Sequence, residues 1–183
     1  TQKAAGLGAT IVVPATDIPN VGRYAVIFDP QGAAICLFHP AQDAPPTDDG
    51  NSLGHFVWHE LMTSDQDAAW SFYSSMFGWQ LGEAMDMGQM GTYQVFTTDP
   101  GQPAGGMMTR PEGMPGRPAW LYYVKVENLD TSLSMVMISG GTVINGPIEV
   151  PGGDHVAVCT DPQGAMFAMI QVGTPPETDP DAN

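Results

Sequence analysis

The pentapeptide Asp-Pro-Gln-Gly-Ala occurs twice, at Asp29–Ala33 and at Asp161–Ala165, an offset of 132 residues. Each copy closes a longer match. Gly8-Ala9-Thr10-Ile11 lies over Gly140-Gly141-Thr142-Val143, Pro19 over Pro151, and Tyr24-Ala25-Val26 over Val156-Ala157-Val158. A weaker match runs at an offset of 65, placing Gly54–Asp65 over Ala119–Asp130. The shorter offset is close to half the longer one, so the basic unit is about 65 residues and the long period is two units. Units of this size are not solenoid repeats; they are small modules that pair.

Hydrophobic periodicity describes the module. The apolar, aromatic stretches Phe56–Met62 and Leu121–Val126 each read as a strand running into an acidic residue. After Ser64-Asp65, the residues Ala68, Ala69, Trp70, Phe72, Tyr73, Met76 and Phe77 keep helical spacing up to Gly78, with Ser64 or Asp65 as the expected cap. In the next module Asp130 or Thr131 is the expected cap, Leu133, Val136 and Met137 form the stripe, and Gly140-Gly141 is the stop. Three short extended segments follow, near Thr142–Asn145, His155–Thr160 and Met166–Val172, separated by Pro151-Gly152-Gly153 and the Asp161-Pro162-Gln163-Gly164 turn. The order is strand, helix, strand, strand, strand.

Paired modules of this order, with Phe72-Tyr73 before Phe77-Gly78-Trp79 and an Asp-Pro-Gln-Gly turn before the last strand, resemble the vicinal oxygen chelate superfamily. That superfamily includes glyoxalase I, the bleomycin-resistance proteins and the extradiol dioxygenases. The resemblance implies an α+β fold in which paired βαβββ modules form curved mixed sheets with helices outside. It covers residues 54–173 as two modules, 54–118 and 119–173, and residues 1–40 as the last three strands of another. Register places the opening strand of that partial module ahead of Thr1, so residues 1–7 are expected to be the end of a helix and the chain is read as N-terminally truncated. Unpaired strands expose edges and apolar faces, so residues 1–40 are expected to pack on the complete pair or on a second copy in a homodimer. Residues 41–53, with Pro45-Pro46 and Asp48-Asp49-Gly50, read as a linker, and 174–183 as a flexible tail.

Charge excludes one class of partner. Twenty acidic against 5 basic side chains give a formal charge of −15, and phosphate neutralisation needs clustered Lys and Arg, so nucleic acid is not an expected partner. The acidic excess is read chiefly as a solvated surface, and alternatively as an attraction for cationic ligands. No run approaches the roughly 18 consecutive apolar residues of a membrane span. No signal peptide is visible, and Cys36 and Cys159 lack CxxC spacing, so cytoplasm is the expected location and buried apolar packing the expected use of the thiols.

In the metal-dependent families that the chain resembles, a His seven residues before the helix-starting Asp and a Glu seven residues after the turn Asp hold a divalent ion. Here those places are taken by Trp58 and Tyr123 on opening strands, and by Ala168 and Cys36 on last strands; in the first complete module the last-strand place falls near Gly106 or Met107. No metal is therefore expected, with a divalent ion at a displaced site as the alternative. His55 and His59 lie an odd number of residues from Trp58, which puts them on the opposite sheet face. His39 is expected to be exposed, and His155 stands opposite Arg23 in the repeat. A new site built from His155 with Glu60 is the remaining metal alternative.

Glu60 shares the face of Trp58 by alternation, and its counterpart after Tyr123 is Lys125. Three readings stay open for it: a structural ion pair or hydrogen-bonded carboxylate, the counter-ion of a cationic ligand, or a general base. Phe56, Trp58, Leu121, Tyr123, Met166, Ala168 and Ile170 follow one parity, with Phe56, Leu121 and Ile170 read as core and Trp58 and Tyr123 as cavity lining. The expected function is metal-free binding of a small molecule, with Trp58, Glu60, Tyr123, Lys125, Met166 and Ala168 as ligand contacts. The alternative is a glyoxalase-like lyase, isomerase or dioxygenase that uses a displaced metal or Glu60 as base.

Overall fold

In the computed structural model, residues 1–42, 51–99, 101–114 and 116–173 are described. Most of the expected linker, and the tail at 174–183, lie outside the described residues. The chain divides into two compact units, one holding the described residues of 1–49 and 58–121, the other those of 50–57 and 122–183.

The first unit opens with a short helix, α1 (Gln2–Gly6), followed by β1 (Thr10–Ile18), β2 (Gly22–Phe28) and β3 (Ala34–Pro40). These strands form a separate antiparallel sheet in the order β1-β2-β3. A complete module follows: β4 (Phe56–Thr63), α2 (Gln66–Phe77), β5 (Gln80–Asp86), β6 (Thr92–Asp99) and β7 (Gln102–Thr109). β7 returns to pair in parallel with β4, with Glu60 opposite Gly106 and Leu61 opposite Met107. Alternation then sends Leu61, Phe96 and Met107 to the helix side, where they meet Ala69, Phe72 and Tyr73 of α2. Asp65 caps α2 by accepting from the Ala68 N–H at 3.0 Å. Gly78 ends it at φ 74°, a left-handed conformation that suits glycine.

The segment carrying β1 to β3 packs on this module, as expected. Ala4, Ile27 and Ala33 belong to the same buried cluster as Phe72 and Tyr73. Tyr73 donates to Asp29 Oδ2 at 3.0 Å and accepts from the Trp120 indole at 3.0 Å. Trp79 lies flat on Phe96, ring centroids 4.4 Å apart.

The second module repeats the order as β8 (Ala119–Lys125), α3 (Leu129–Ile138), β9 (Thr142–Glu149), β10 (His155–Thr160) and β11 (Met166–Gln171). β11 pairs in parallel with β8, with Ala168 opposite Tyr123. The strand order is β5-β6-β7-β4 in the first module and β8-β11-β10-β9 in the second. The helix α3 begins two residues earlier than the first of its expected caps allows: Asn128 is the N-cap, and its side chain accepts from the Thr131 N–H at 2.8 Å. Asn128, Asp130 and Thr131 are all competent caps, and only the backbone conformation selects among them. The strand expected near Thr142–Asn145 continues as β9 to Glu149. Behind the sheet of the second unit, Leu129, Leu133, Ala157, Cys159 and Met169 form a separate buried cluster. Burial pushes the pKa of the Cys159 thiol up, in keeping with the packing role expected of it, whereas Cys36 on β3 is exposed and does not have the buried place expected from sequence.

Candidate functional site

On β4 the side chains facing away from α2 are Trp58, Glu60 and Met62, as strand alternation requires. Trp58 and Met62 pack against a cluster of Tyr93 and Val95 on β6 and Met108 on β7, joined by Met85 and by Met87 just beyond β5. One face of the first module is thus lined by an indole, a phenol and four thioethers. Glu60 lies in the same row and is only 9% exposed.

The polar contacts converge on one hydroxyl. Trp58 Nε1 donates to Tyr93 Oη at 2.8 Å. Tyr93 is in turn hydrogen-bonded to Glu60, and because an ionised carboxylate only accepts, the phenolic proton points at Glu60. Burial holds the Tyr93 hydroxyl far above its ordinary pKa, the Glu60 charge pushes it further the same way, and the bond from Trp58 acts in the opposite sense. The hydroxyl is therefore a donor to Glu60 throughout the physiological range.

Gly106 makes room for this arrangement. A Cβ on Gly106 would come within 2.1 Å of Tyr93 Cε1 and 2.4 Å of its hydroxyl, so the ring lies against bare backbone. The sequence register puts the last-strand carboxylate place of the metal-dependent families near Gly106 or Met107, and neither residue carries a carboxylate or an imidazole. The donor set fails on chemistry as well: an indole at Trp58 and a methyl at Ala168 have no lone pair to offer a divalent ion. Two of the family's ligand places, at Trp58 and Ala168, are thus without a donor for a divalent ion. Among the described residues no three His, Cys, Asp or Glu side chains converge.

The histidines lie elsewhere. His59 Nδ1 donates to the Ala104 carbonyl at 2.9 Å on the helix side of β4, and His39, His55 and His155 are exposed.

The remaining sequence candidates belong to the second unit. Tyr123 and Ala168 face each other across the parallel pair of β8 and β11, 7% and 0% exposed. Lys125 Nζ donates to the Asn51 carbonyl and to Asn51 Oδ1 at 2.8 and 3.0 Å. Met166, at the start of β11, is 61% exposed. Phe56, read from sequence as core, is 58% exposed and rests on Tyr122 with centroids 5.6 Å apart. It sits at the first position of its strand, where the pleat has no neighbour to cover it.

Tyr93 is the residue that sequence reasoning missed. Its signal was indirect: the Gly105-Gly106 pair inside an extended segment marks a close approach by another side chain.

Comparison with known proteins agrees with the module order. The profile of the Glyoxalase/Bleomycin resistance protein/Dioxygenase superfamily matches residues 52–169. CFP32 of Mycobacterium tuberculosis, whose name carries the word glyoxylase, is 33% identical over 165 residues, covering 90% of this chain and 61% of its own length. The anthracycline biosynthesis protein DauV of Streptomyces sp. is 32% identical over 176 residues, covering 94% of this chain and 61% of its own. The chain thus spans about three fifths of the length of these relatives. Among solved structures, the 2,3-dioxygenase LapB of Pseudomonas sp. KL28 superposes with a TM-score of 0.62 at 15% identity, over 97% of this chain and 69% of its own. Methylmalonyl-CoA epimerase of Mycobacterium tuberculosis does so with a TM-score of 0.53 at 14% identity, over 70% and 95%. At these identities the structural likeness speaks for the fold alone. With the profile spanning both complete modules, the chain belongs to the Glyoxalase/Bleomycin resistance protein/Dioxygenase superfamily.

Proposed function

We propose that this protein binds a small organic molecule without a metal, on the Trp58, Glu60 and Tyr93 face of the first module. The observation that carries the reading is the chain of hydrogen bonds from Trp58 through Tyr93 to Glu60 on a surface otherwise built of methionine. Indole and phenol rings offer flat apolar area at low entropic cost, and thioethers adapt to irregular shapes. A buried carboxylate among them favours a ligand with an amine or another donor attached to an aromatic body. Tyr123, Lys125, Met166 and Ala168 are further proposed contacts. DauV is named for anthracycline biosynthesis, which makes an anthracycline the first ligand to try. Titration of the protein with daunorubicin should quench tryptophan emission saturably, and Trp58→Phe and Glu60→Gln should each weaken binding about ten-fold. Quenching unchanged in both variants would place any binding elsewhere.

A second reading rests on Glu60 itself. Its carboxylate is held by the Tyr93 hydroxyl within an apolar row, an arrangement that also suits a general base in a glyoxalase-like lyase or isomerase. Loss of proton exchange from a bound carbon acid in Glu60→Gln, with binding retained, would favour it. A dioxygenase would need a displaced divalent ion, which elemental analysis of purified protein detects. The proposed setting is a homodimer in the cytoplasm. Exposed Val12, Val21 and Phe38 on the β1 to β3 sheet offer apolar area for self-association, and free Cys36 and Cys159 suit a reducing compartment.

A further inference from the structure

The methionines of the first module are not scattered. Strand pairing puts three of them in one row with Tyr93, on the face that turns away from α2. Met85 on β5 stands opposite Tyr93 on β6. Gln94 stands opposite Met107 and Val95 opposite Gly106, which puts Tyr93 level with Met108 on β7. Met108 in turn stands opposite Met62 on β4. The row therefore reads Met85, Tyr93, Met108, Met62 across four neighbouring strands, spaced about 4.8 Å apart. Met87, two residues beyond Met85, packs against the same cluster.

The Tyr93 ring does not fill the middle of its row. It leans over Gly106, where a Cβ would collide with it, and Gly106 is level with Glu60 rather than with Met62. The middle of the row is left to the thioethers on either side. Met108 is 4% exposed, whereas Met62, Met85 and Met87 are half-buried, so the group has a buried floor and a reachable rim. Thioethers are soft, neutral donors that select Cu(I), whereas magnesium and calcium ions want oxygen. One step along β4 from the row lies the buried carboxylate of Glu60. It balances the single charge of such an ion, where burying either charge alone is costly. The formal charge of −15 also draws cations to the protein.

We propose that Met62, Met85 and Met108 form a site for a soft monovalent metal ion, Cu(I) or its analogue Ag(I), held through their sulfurs. Met87 closes the outer side, and Glu60 supplies the balancing charge without touching the ion. The site asks for no divalent ion and uses none of the places at which the metal-dependent families hold theirs. Nothing in it rests on the small-molecule reading: the ion and an organic ligand share a face, and either binds with the other absent. Packing alone needs only apolar bulk, which leucine supplies as well as methionine does. A metal site needs lone pairs, which leucine lacks.

Silver nitrate in chloride-free buffer is the probe. The target is the full chain with isotope-labelled methionine methyl groups and Cys36→Ser, so that the exposed thiol does not take the ion. An equimolar amount should shift the methyl signals of Met62, Met85 and Met108 saturably and leave exposed Met135, Met137 and Met166 unmoved. Calcium nitrate should shift none of them. Met62→Leu and Met85→Leu should each weaken binding about ten-fold or more with the thermal midpoint nearly unchanged, since the swap conserves volume. Glu60→Gln should weaken binding and leave the set of shifted methyl groups the same. Circular dichroism establishes that each variant is folded, and Met108, the most buried of the three, is read through its own signal rather than by substitution. The proposal is overturned by no methyl shift at about ten equivalents, by equal shifts at the exposed methionines, or by affinities that the leucine variants leave unchanged. Shifts centred on Met169, which packs in one cluster with Cys159, would also overturn it by putting the ion on that thiol.

Discussion

At the residue scale, Tyr93 has the sharpest energetic consequences. Its hydroxyl accepts from Trp58 and donates to Glu60, so Tyr93→Phe leaves a half-buried indole N–H and a buried carboxylate each short of a partner. The expected cost at neutral pH is about 2–3 kcal/mol by urea denaturation, within the usual penalty for unmet buried polar groups. The pH dependence has a definite sign. The folded pKa of Tyr93 is raised, so above the unfolded value of about 10 the unfolded chain releases a proton that the folded chain keeps, and stability falls as pH rises. That contribution is whole below about pH 10 and absent from Tyr93→Phe, so the gap between the two proteins should narrow between about pH 9.5 and 11. A gap constant over that interval would show that the hydroxyl is not buried against Glu60. The common face of Trp58 and Glu60 was legible in the sequence because a strand alternates strictly. Tyr93 was not, because its place beside them depends on how β6 registers against β7, and a single strand carries no record of its neighbour.

At the scale of elements, the same turn performs two different jobs. Asp161 organises only its own loop, whereas Asp29 organises its loop and also accepts from Tyr73 on α2. Asp29→Ala should therefore cost about 3 kcal/mol and Asp161→Ala about 1 kcal/mol, measured by thermal melts of the two variants side by side. Equal costs would mean that the Tyr73 bond contributes nothing to holding the β1 to β3 segment on the module. The module order, the turn and the Asp65 and Gly78 ends of α2 were all readable, since each rests on local chemistry that a short window contains. The start of α3 was not, because Asn128, Asp130 and Thr131 are three competent caps within four positions and the choice among them is made by the strand that precedes the helix. Nor did the sequence distinguish the two turns: Gln31 and Gln163 are the same residue in the same motif, and only tertiary packing makes one a clamp and leaves the other exposed.

At the scale of the whole molecule, the formal charge of −15 sets a background repulsion that every contact must overcome. Lys and Arg number 5 in all, and one of these, Arg23, is paired with Asp17 at the surface. Raising sodium chloride from about 10 mM to about 500 mM shortens the screening length from roughly 30 Å to under 5 Å. Thermal unfolding should move up by about 3–6 °C over that range. A midpoint that stays put or falls would show that the acidic residues are compensated within the fold. Tyr73 adds a different kind of consequence. Its hydroxyl touches Asp29 on one side and the Trp120 indole on the other, and its ring stacks 5.3 Å from Trp79. The joint between the N-terminal segment and the module is thus built from chromophores in fixed, chiral contact, so the protein carries its own optical gauge: near-ultraviolet ellipticity records whether that joint is closed, with no label attached.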